Sequence, residues 1–146
     1  MPAMPVMTTE ELQDLLNGAF PGANVAYRVE EATATTLRMR LPVTPAHQRP
    51  GGTVSGPALM ALADCAAWLV ILAQIGPVAL AVTTSLHIDF LRKPALVDVI
   101  ADATLLKLGK RLAVADVALR SADHEAIVAK AQVTYSIPDH GPDPRV

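Results

Sequence analysis

The sequence predicts an α+β domain in which an antiparallel β-sheet wraps around one long apolar α-helix. The first observation is that segment 56–74 is almost continuously apolar and long enough for a buried helix. The second is that the segments after it alternate apolar and polar residues, as half-buried strands do. The third is that turn residues separate those segments, and strands joined by short turns pair antiparallel. A two-layer α+β sandwich of another topology is the alternative arrangement of the same elements.

Length and composition indicate a single domain that spans residues 1–146. The chain has a mass of 15.4 kDa, and its 51% hydrophobic and 18% charged residues exclude intrinsic disorder. Aromatic residues make up only 3%, so we expect a core of Ala, Val, Leu and Ile. The net charge of −2 supplies no positive field for nucleic acid. Cys65 is the only cysteine, so no intrachain disulfide forms, and no Cys/His cluster has the spacing of metal ligands.

Two regions are candidates for membrane-directed segments, a secretory signal at the N-terminus and a transmembrane helix, and the sequence of neither fits. Residues 1–7 carry no Lys or Arg and precede no apolar run, so they do not form a secretory signal. The stretch 56–82 contains Asp64 and Gln74 and is interrupted at Gly76. Its uninterrupted part, 65–73, is shorter than the roughly 20 residues that span a bilayer. We therefore expect a cytoplasmic protein without a membrane partner.

The first elements are a helix and two strands. The N-terminal segment 1–22 is predicted to be helical, because Thr8 to Glu11 form a capping pattern ahead of Leu12, Leu15 and Leu16. Gly18 and Pro21-Gly22 end this helix. Alternation then predicts one strand around 25–29 and another over 37–41, and residues 42–54 form a loop rich in Pro and Gly.

The long helix is predicted over Gly56–Gln74, with Pro57 near its first position, where proline is well tolerated. Period-two segments follow at 82–90, 97–107, 112–119 and 126–137, and the tail 138–146 is predicted to be flexible. In the first of these strands, strict alternation puts Thr83 on the polar face with His87 and Asp89. A helix of this length measures about 28 Å, and a sheet can wrap around it, which is the hotdog architecture.

Asp64 is the one charged residue between Arg49 and Asp89, and it lies in the middle of the apolar helix. A carboxylate there must be paired, protonated or exposed to a cavity, because an isolated buried charge is very costly. One interpretation is a structural carboxylate at the helix edge, hydrogen-bonded to backbone or to a neighbouring subunit. The other is a general base or nucleophile in a cleft, since perturbed carboxylates in apolar surroundings are typical of active sites.

The entrance to the long helix is the second signal. Free N–H groups at a helix start can hold a developing oxyanion, and Gly56 lets a carbonyl approach the backbone closely. Plain capping by Ser55 or Gly56 explains the same residues. Gly56 and Asp64 are eight residues apart, about 12 Å along one helix, so one carbonyl cannot contact both. A two-fold axis would bring Gly56 of one subunit near Asp64 of another, which predicts a homodimer with shared sites.

Three stretches carry a resemblance to a known family. Ser55–Asp64 resembles the His-Gly-Gly-x-x-x-x-Leu-x-Asp helix motif of the hotdog-fold acyl-CoA thioesterases, and the nearest branch includes the phenylacetate-pathway (PaaI-like) enzymes. Ala81–Pro94 is similar to the strand that follows in this family, and Leu106–Ala113 to its glycine-containing hairpin. The resemblance covers roughly residues 25–137 in the same order.

The resemblance implies an acyl-CoA thioesterase, with coenzyme A as part of the substrate and no separate cofactor. Asp64 matches the catalytic carboxylate, which acts as general base for water or as nucleophile on the thioester carbonyl. Gly56 matches the oxyanion-hole glycine, and Thr83 matches a Ser/Thr that helps to orient water. The family histidine is Ser55 here, and an asparagine six residues earlier is Arg49. Ser55 therefore either caps the helix or also bonds the thioester or the attacking water.

Basic residues support the ligand class, because Lys and Arg clusters recognise phosphates such as those of coenzyme A. Five of the twelve basic residues lie around two turns, namely Arg92, Lys93, Lys107, Lys110 and Arg111. A solvated turn explains them equally well. Arg49 is the cation near the helix entrance, and it either pairs with Asp64 across the interface or holds ligand phosphates.

We therefore predict a homo-oligomeric thioester hydrolase, a dimer or a dimer of dimers, that acts on an acyl-CoA. A non-catalytic acyl-CoA sensor or carrier of the same fold is the first alternative. A hotdog enoyl-CoA hydratase or dehydratase is the second, and the lack of a histidine on the long helix counts against it.

Overall fold

The computed structural model of the chain describes residues 4–20 and 26–139. Within these ranges the chain forms two α-helices, one short 3₁₀ turn at Pro45–His47 and eight strands. The elements are α1 (Thr9–Ala19), β1 (Arg28–Ala32), β2 (Thr36–Leu41), β3 (Gln48–Arg49), β4 (Thr53–Val54), α2 (Gly56–Ile75), β5 (Val82–Phe90), β6 (Val99–Leu108), β7 (Leu112–Ser121) and β8 (Ile127–Ser136).

Six strands form one sheet in the order β1-β2-β6-β7-β8-β5, and each neighbouring pair is antiparallel. The inner face of this sheet packs against α2. The predicted fold class, an antiparallel sheet around one long apolar helix, is therefore confirmed. β1 and β5 are the two edges of the sheet, and β5 is mostly exposed along its length.

α2 is buried along most of its length, which explains why its sequence is apolar on nearly every side. Its Ser55 N-cap accepts a hydrogen bond from the Ala58 backbone N–H at 3.2 Å, and its C-cap is Gly76 with a φ of 95°. By length and composition alone this helix would suffice to cross a membrane, but its contacts with the sheet are those of a core helix.

The sheet face beneath α2 is built largely of alanine, so the helix can lie close to the strands. Each central strand contributes a pair of buried alanines together with larger apolar residues, as the composition predicts. The alanines are Ala101, Ala103, Ala113, Ala115, Ala129 and Ala131.

α1 is fixed beside the second half of α2. A capping box between Thr8 and Glu11 starts the helix, and Leu12 and Leu16 are fully buried beneath it. The Gln13 side-chain amide donates to the Tyr27 carbonyl at 3.0 Å and accepts from the Val29 N–H at 2.8 Å, which ties α1 to β1. The end of α1 is thereby held over the sheet.

The predicted elements agree with the observed ones within two residues at most ends, with three differences. The helix predicted within 1–22 spans only Thr9–Ala19 among the described residues. The first strand begins at Arg28, so Tyr27 precedes it. The segment 42–54 is not a plain loop, because β3 and β4 form a small hairpin around Gly51 and Gly52, whose φ values are 100° and 74°. Val25, Pro21-Gly22 and the tail from 140 onward lie outside the described residues.

The face predicted for Thr83 is wrong. The register between β5 and β8 shifts between Thr83 and Ser85, so Thr84 is an extra residue in the strand. Thr83 lies opposite the buried Tyr135, and Leu86 lies opposite the buried Val133. This bulge turns Thr83 toward α2, whereas His87 and Asp89 stay exposed and hydrogen-bond to each other at 3.1 Å.

Candidate active site

The Asp64 carboxylate accepts two hydrogen bonds on the same oxygen. The Thr83 hydroxyl donates to Oδ1 from 2.8 Å, and the Tyr135 hydroxyl donates to it from 2.7 Å. Asp64 is half-buried, and its partners come from β5 and β8 rather than from its own helix. The carboxylate is therefore oriented by the sheet while one of its oxygens carries no bond to either partner.

Tyr135 is a site residue that sequence reasoning missed. Its hydroxyl also lies 3.0 Å from the Asp64 backbone carbonyl. Burial raises the pKa of Tyr135 well above its ordinary value, and the Asp64 carboxylate acts in the same direction, so the phenol remains a proton donor. The signal was present, because alternation puts Tyr135 on the inner face of the last strand, where a buried hydroxyl needs a partner.

Asp64 faces a cavity of about 820 Å³ between α2, the end of α1 and the start of β5. Its lining is mostly apolar or aromatic, with Asp64, Thr83 and Tyr135 as a polar group on the wall. The other lining residues are Ala19, Phe20, Tyr27, Ala61, Cys65, Trp68, Ala79, Leu80, Ala81 and Val82. An apolar cavity with a few convergent polar groups is the usual form of a small-molecule site.

Two further titratable groups share this cavity, and both are neutral at physiological pH. Burial raises the pKa of the Cys65 thiol to about 12, and the Asp64 charge contributes to the rise. Burial also raises the pKa of Tyr27 to about 12, with smaller contributions from Cys65 and Asp64. The Cys65 thiol is therefore unreactive at neutral pH, although it lines the same cavity as Asp64.

Gly56 lies at a second cavity, of about 460 Å³, at the N-terminal end of α2. A Cβ added at Gly56 would stand 3.4 Å from the Phe90 ring, so this ring flanks the first turn of the helix. Ser55 caps the same turn through its hydroxyl. Gly56 and Asp64 thus belong to different cavities in one protomer, as their spacing along the helix requires.

Within one protomer the predicted basic residues form two separate groups, one at each of the two turns. Arg92 and Lys93 line the Gly56 cavity together with Arg49. Lys107, Lys110 and Arg111 instead surround the β6–β7 turn, at the opposite end of the sheet, because Leu112 lies in register with Ser136 and Val82. The antiparallel topology therefore places the two turns at opposite ends of the sheet.

Comparisons with known proteins agree with this fold. The family model of the thioesterase superfamily matches residues 51–128, which include α2 and β5. A candidate thioesterase from a Silicibacter species is 41% identical, with a TM-score of 0.85, over 94% of this chain and 96% of that one. None of the curated protein sequences matches this chain.

Two more distant structures share the fold. Zebrafish thioesterase superfamily member 2 has a TM-score of 0.80 at 20% identity, over 90% of this chain and 99% of that one. A Haemophilus influenzae thioesterase has a TM-score of 0.77 at 20% identity, over 94% of each chain. The fold and the Asp64 cavity define a hotdog protein with a carboxylate-centred site, and the chain belongs to the thioesterase superfamily.

Proposed function

We propose that the protein is an acyl-CoA thioesterase whose catalytic carboxylate is Asp64. The observation that carries the proposal is the Asp64 carboxylate itself, which Thr83 and Tyr135 orient at the wall of an apolar cavity. An acyl chain fits the apolar lining, and the thioester carbonyl would then lie at the polar group. The phenylacetate-pathway branch and a cytoplasmic location remain parts of this proposal.

Two routes are chemically open to Asp64. As general base it takes a proton from water while the water oxygen bonds to the thioester carbonyl carbon, after which the C–S bond breaks and the thiolate takes up a proton. As nucleophile it bonds to the same carbon, expels the thiolate and leaves an anhydride for water to hydrolyse. Thr83 holds the carboxylate, and its hydroxyl oxygen can also accept a hydrogen bond from that water.

The oxyanion in either route needs a donor, and the Gly56 N–H of a second subunit supplies it in this proposal. β5 is an edge strand whose only partner among the described residues is β8, which leaves its other edge free for a copy of itself. Two β5 strands paired antiparallel place the Val82 end of one beside the Phe90 end of the other. Asp64 of one subunit then faces Gly56 of its partner.

The same pairing accounts for the two separate groups of basic residues. Lys107, Lys110 and Arg111 lie at the Val82 end of the sheet, and Arg92 and Lys93 follow the Phe90 end. Across a two-fold axis the Val82 end of one subunit lies beside the Phe90 end of its partner, so each shared site has basic residues from both subunits. This arrangement suits the phosphates of coenzyme A. A dimer of such dimers is compatible with it.

Substitution of Asp64 by asparagine tests the function. The amide keeps the shape of the carboxylate but is neither a base nor an anionic nucleophile, so we expect turnover of acyl-CoA to fall by about 10²–10⁴-fold. Release of free thiol from a panel of acyl-CoA substrates measures it. Asp123→Asn, in an exposed turn, is the matched control and should behave as wild type. Wild-type turnover in Asp64→Asn would exclude the assignment.

A mixing experiment tests the shared site. Gly56→Val adds bulk next to the Phe90 ring and over the proposed oxyanion donor. When Gly56→Val and Asp64→Asn proteins are unfolded, mixed and refolded, half of the dimers are mixed, and each has one site with both functional residues. We expect about a quarter of the wild-type activity from two nearly inactive parents. An active monomer in sedimentation would contradict this arrangement.

The same assays separate the alternatives. An acyl-CoA sensor would bind substrate without releasing thiol. A hydratase needs a second acid or base beside Asp64, usually histidine, and no histidine lines the Asp64 cavity within the described ranges. That observation favours hydrolysis over hydration.

A further inference from the structure

The aromatic residues of this chain are concentrated around the Asp64 cavity. The sequence contains two Phe, two Tyr and one Trp. Four of these five rings line the Asp64 cavity, namely Phe20, Tyr27, Trp68 and Tyr135. Tyr135 is accounted for by its bonds to Asp64, but Phe20 and Trp68 carry no polar contact to the carboxylate. Their position therefore needs a separate explanation.

Phe20 and Trp68 contact each other across the cavity wall. Their ring centroids are 5.9 Å apart and the planes are inclined by 69°, an edge-to-face arrangement. Trp68 lies one helical turn after Asp64 on α2, about 6 Å further along the axis. Phe20 follows the last residue of α1. The pair thus closes the cavity on the side of Asp64 toward the C-terminus of α2.

The exposed fractions of Trp68 and Phe20 show which of the two rings packs in the core and which lies at the edge of the cavity. Trp68 is only 6% exposed, as a core residue would be, whereas Phe20 is 48% exposed. A half-exposed ring adds little to the core, because the free energy of burial scales with the apolar area removed from water. Its backbone is nevertheless held in place, since Leu12 and Leu16 anchor α1 and Gln13 ties it to β1.

We infer that Phe20, supported by Trp68, is a specificity-determining wall that limits the size of the acyl group. The inference rests on the proposed function and adds a role for α1, which lies outside the residues that the family model matches. Acyl groups that end before the ring pair are accommodated, and longer chains must displace the Phe20 ring. Phe20 affects how tightly the acyl tail binds, whereas Asp64 carries out the reaction at the thioester.

Removal of the Phe20 ring tests whether it limits the length of the acyl chain that the enzyme hydrolyses. Each methylene that a ligand newly buries is worth about fourfold in affinity, so opening the wall should favour long chains. We expect Phe20→Ala to raise the ratio of kcat/KM for dodecanoyl-CoA over butanoyl-CoA by about tenfold, and Phe20→Leu by less. Val6→Ala is the control, because Val6 is an exposed residue of the same N-terminal segment and does not line the cavity.

A binding experiment decides the inference independently of hydrolysis. Trp68 is the only tryptophan, so its fluorescence reports directly on the cavity wall. Thioether analogues of acyl-CoA, from butanoyl to dodecanoyl length, cannot be hydrolysed and can be titrated against it. We expect the analogues to change the Trp68 emission, and the dissociation constant of the longest analogue to fall in Phe20→Ala but not in Val6→Ala.

The outcomes separate the two proposals. If no acyl-CoA is hydrolysed but the length dependence of binding shifts in Phe20→Ala, the thioesterase function fails and the wall stands. If hydrolysis is intact but its length dependence is the same in Phe20→Ala and wild type, the wall is overturned and the function stands. Analogues that leave the Trp68 emission unchanged also overturn the wall.

Discussion

The hydroxyl of Tyr135 lies 2.7 Å from Oδ1 of Asp64 and 3.0 Å from the carbonyl oxygen of the same residue. One phenol thus contacts both the side chain and the backbone of the catalytic candidate. The contact joins the last strand of the sheet to the middle of α2. Because Tyr135 is itself buried, the position of the carboxylate is fixed by the packing of the core rather than by its own helix.

Tyr135→Phe is expected to lower kcat and to leave KM nearly unchanged. The ring keeps the packing, but the carboxylate loses a hydrogen bond of the charged type, worth about 1.5–3 kcal/mol. This corresponds to a loss of about 10–100-fold in turnover. Steady-state kinetics on one acyl-CoA measure the effect. Tyr27→Phe is the comparison, since the structure shows no hydrogen bond from the Tyr27 hydroxyl to Asp64, and an equal loss there would contradict the role of Tyr135.

Thr83→Val is expected to reduce turnover for the same reason, because valine has the shape of threonine without its hydroxyl. The loss should be about tenfold or more, and Thr83→Ser should restore most of it by returning a donor to Asp64. Thr84→Val is the neighbouring control, since Thr84 is the exposed extra residue of the bulge. Equal losses at both positions would indicate damage to the strand rather than loss of the hydrogen bond.

The order and type of the main elements were predictable because their signals are local. The capping pattern at Thr8, the apolar run of α2 and the alternation in the strands each act over a few residues. Asp64 was identifiable for the same reason, as a charge in an apolar helix. The position of Tyr135 was also accessible from alternation, but its partner was not, since the two residues are 71 positions apart.

The errors arose where a single residue or a long-range pairing decides the outcome. Strict alternation cannot show an extra residue, so the bulge at Thr84 reversed the face predicted for Thr83. Sequence alone could not show that Arg92 and Lys110 lie at opposite ends of the sheet, since that depends on which strands pair and in which register. The Asp64 cavity was not predictable, since it forms between α1, α2 and β5.

Ser55→Ala tests whether the residue that replaces the family histidine only caps α2. The Ser55 hydroxyl bonds the Ala58 N–H, and loss of such a cap costs about 0.5–2 kcal/mol of unfolding free energy. We expect a lower midpoint in urea denaturation and an unchanged turnover per folded enzyme. Ser55→Asp should recover the stability, since aspartate caps helices as well as serine does. A drop in turnover far beyond the stability loss would show that Ser55 contacts the reacting groups.

The raised pKa of the Cys65 thiol predicts that the free energy of unfolding falls as the pH becomes alkaline. Its pKa is about 12 in the folded protein against an ordinary value of 9.0, so the folded state binds this proton more tightly than the unfolded state. The resulting stability is fully present below pH 9 and is lost as the pH rises toward 12. Urea denaturation between these pH values should show a smaller decline for Cys65→Ala than for wild type. An equal decline in Cys65→Ala and wild type would contradict the raised pKa of Cys65.

The same thiol should alkylate slowly in the native protein. At pH 8 almost none of it is thiolate when its pKa is about 12, and the thiolate is the reactive form. We expect iodoacetamide to label Cys65 slowly in buffer and rapidly in urea, with mass spectrometry as the readout. Fast labelling of the folded protein would show that the thiol is ionised or freely exposed.

Replacement of the basic residues should weaken binding of coenzyme A without affecting the chemistry. Arg49 and Lys93 line the Gly56 cavity, and Lys110 lies at the opposite end of the same protomer. If all three surround one shared site, then Arg49→Gln, Lys93→Gln and Lys110→Gln should each raise KM for acyl-CoA, by a factor that shrinks as salt is added. The matched substrate is the N-acetylcysteamine thioester of the same acid, which has no phosphates. Its KM should be the same in all three variants and wild type. A rise in KM for both substrates would place these side chains against the acyl or thioester group, and no rise for either would leave them as solvated charges.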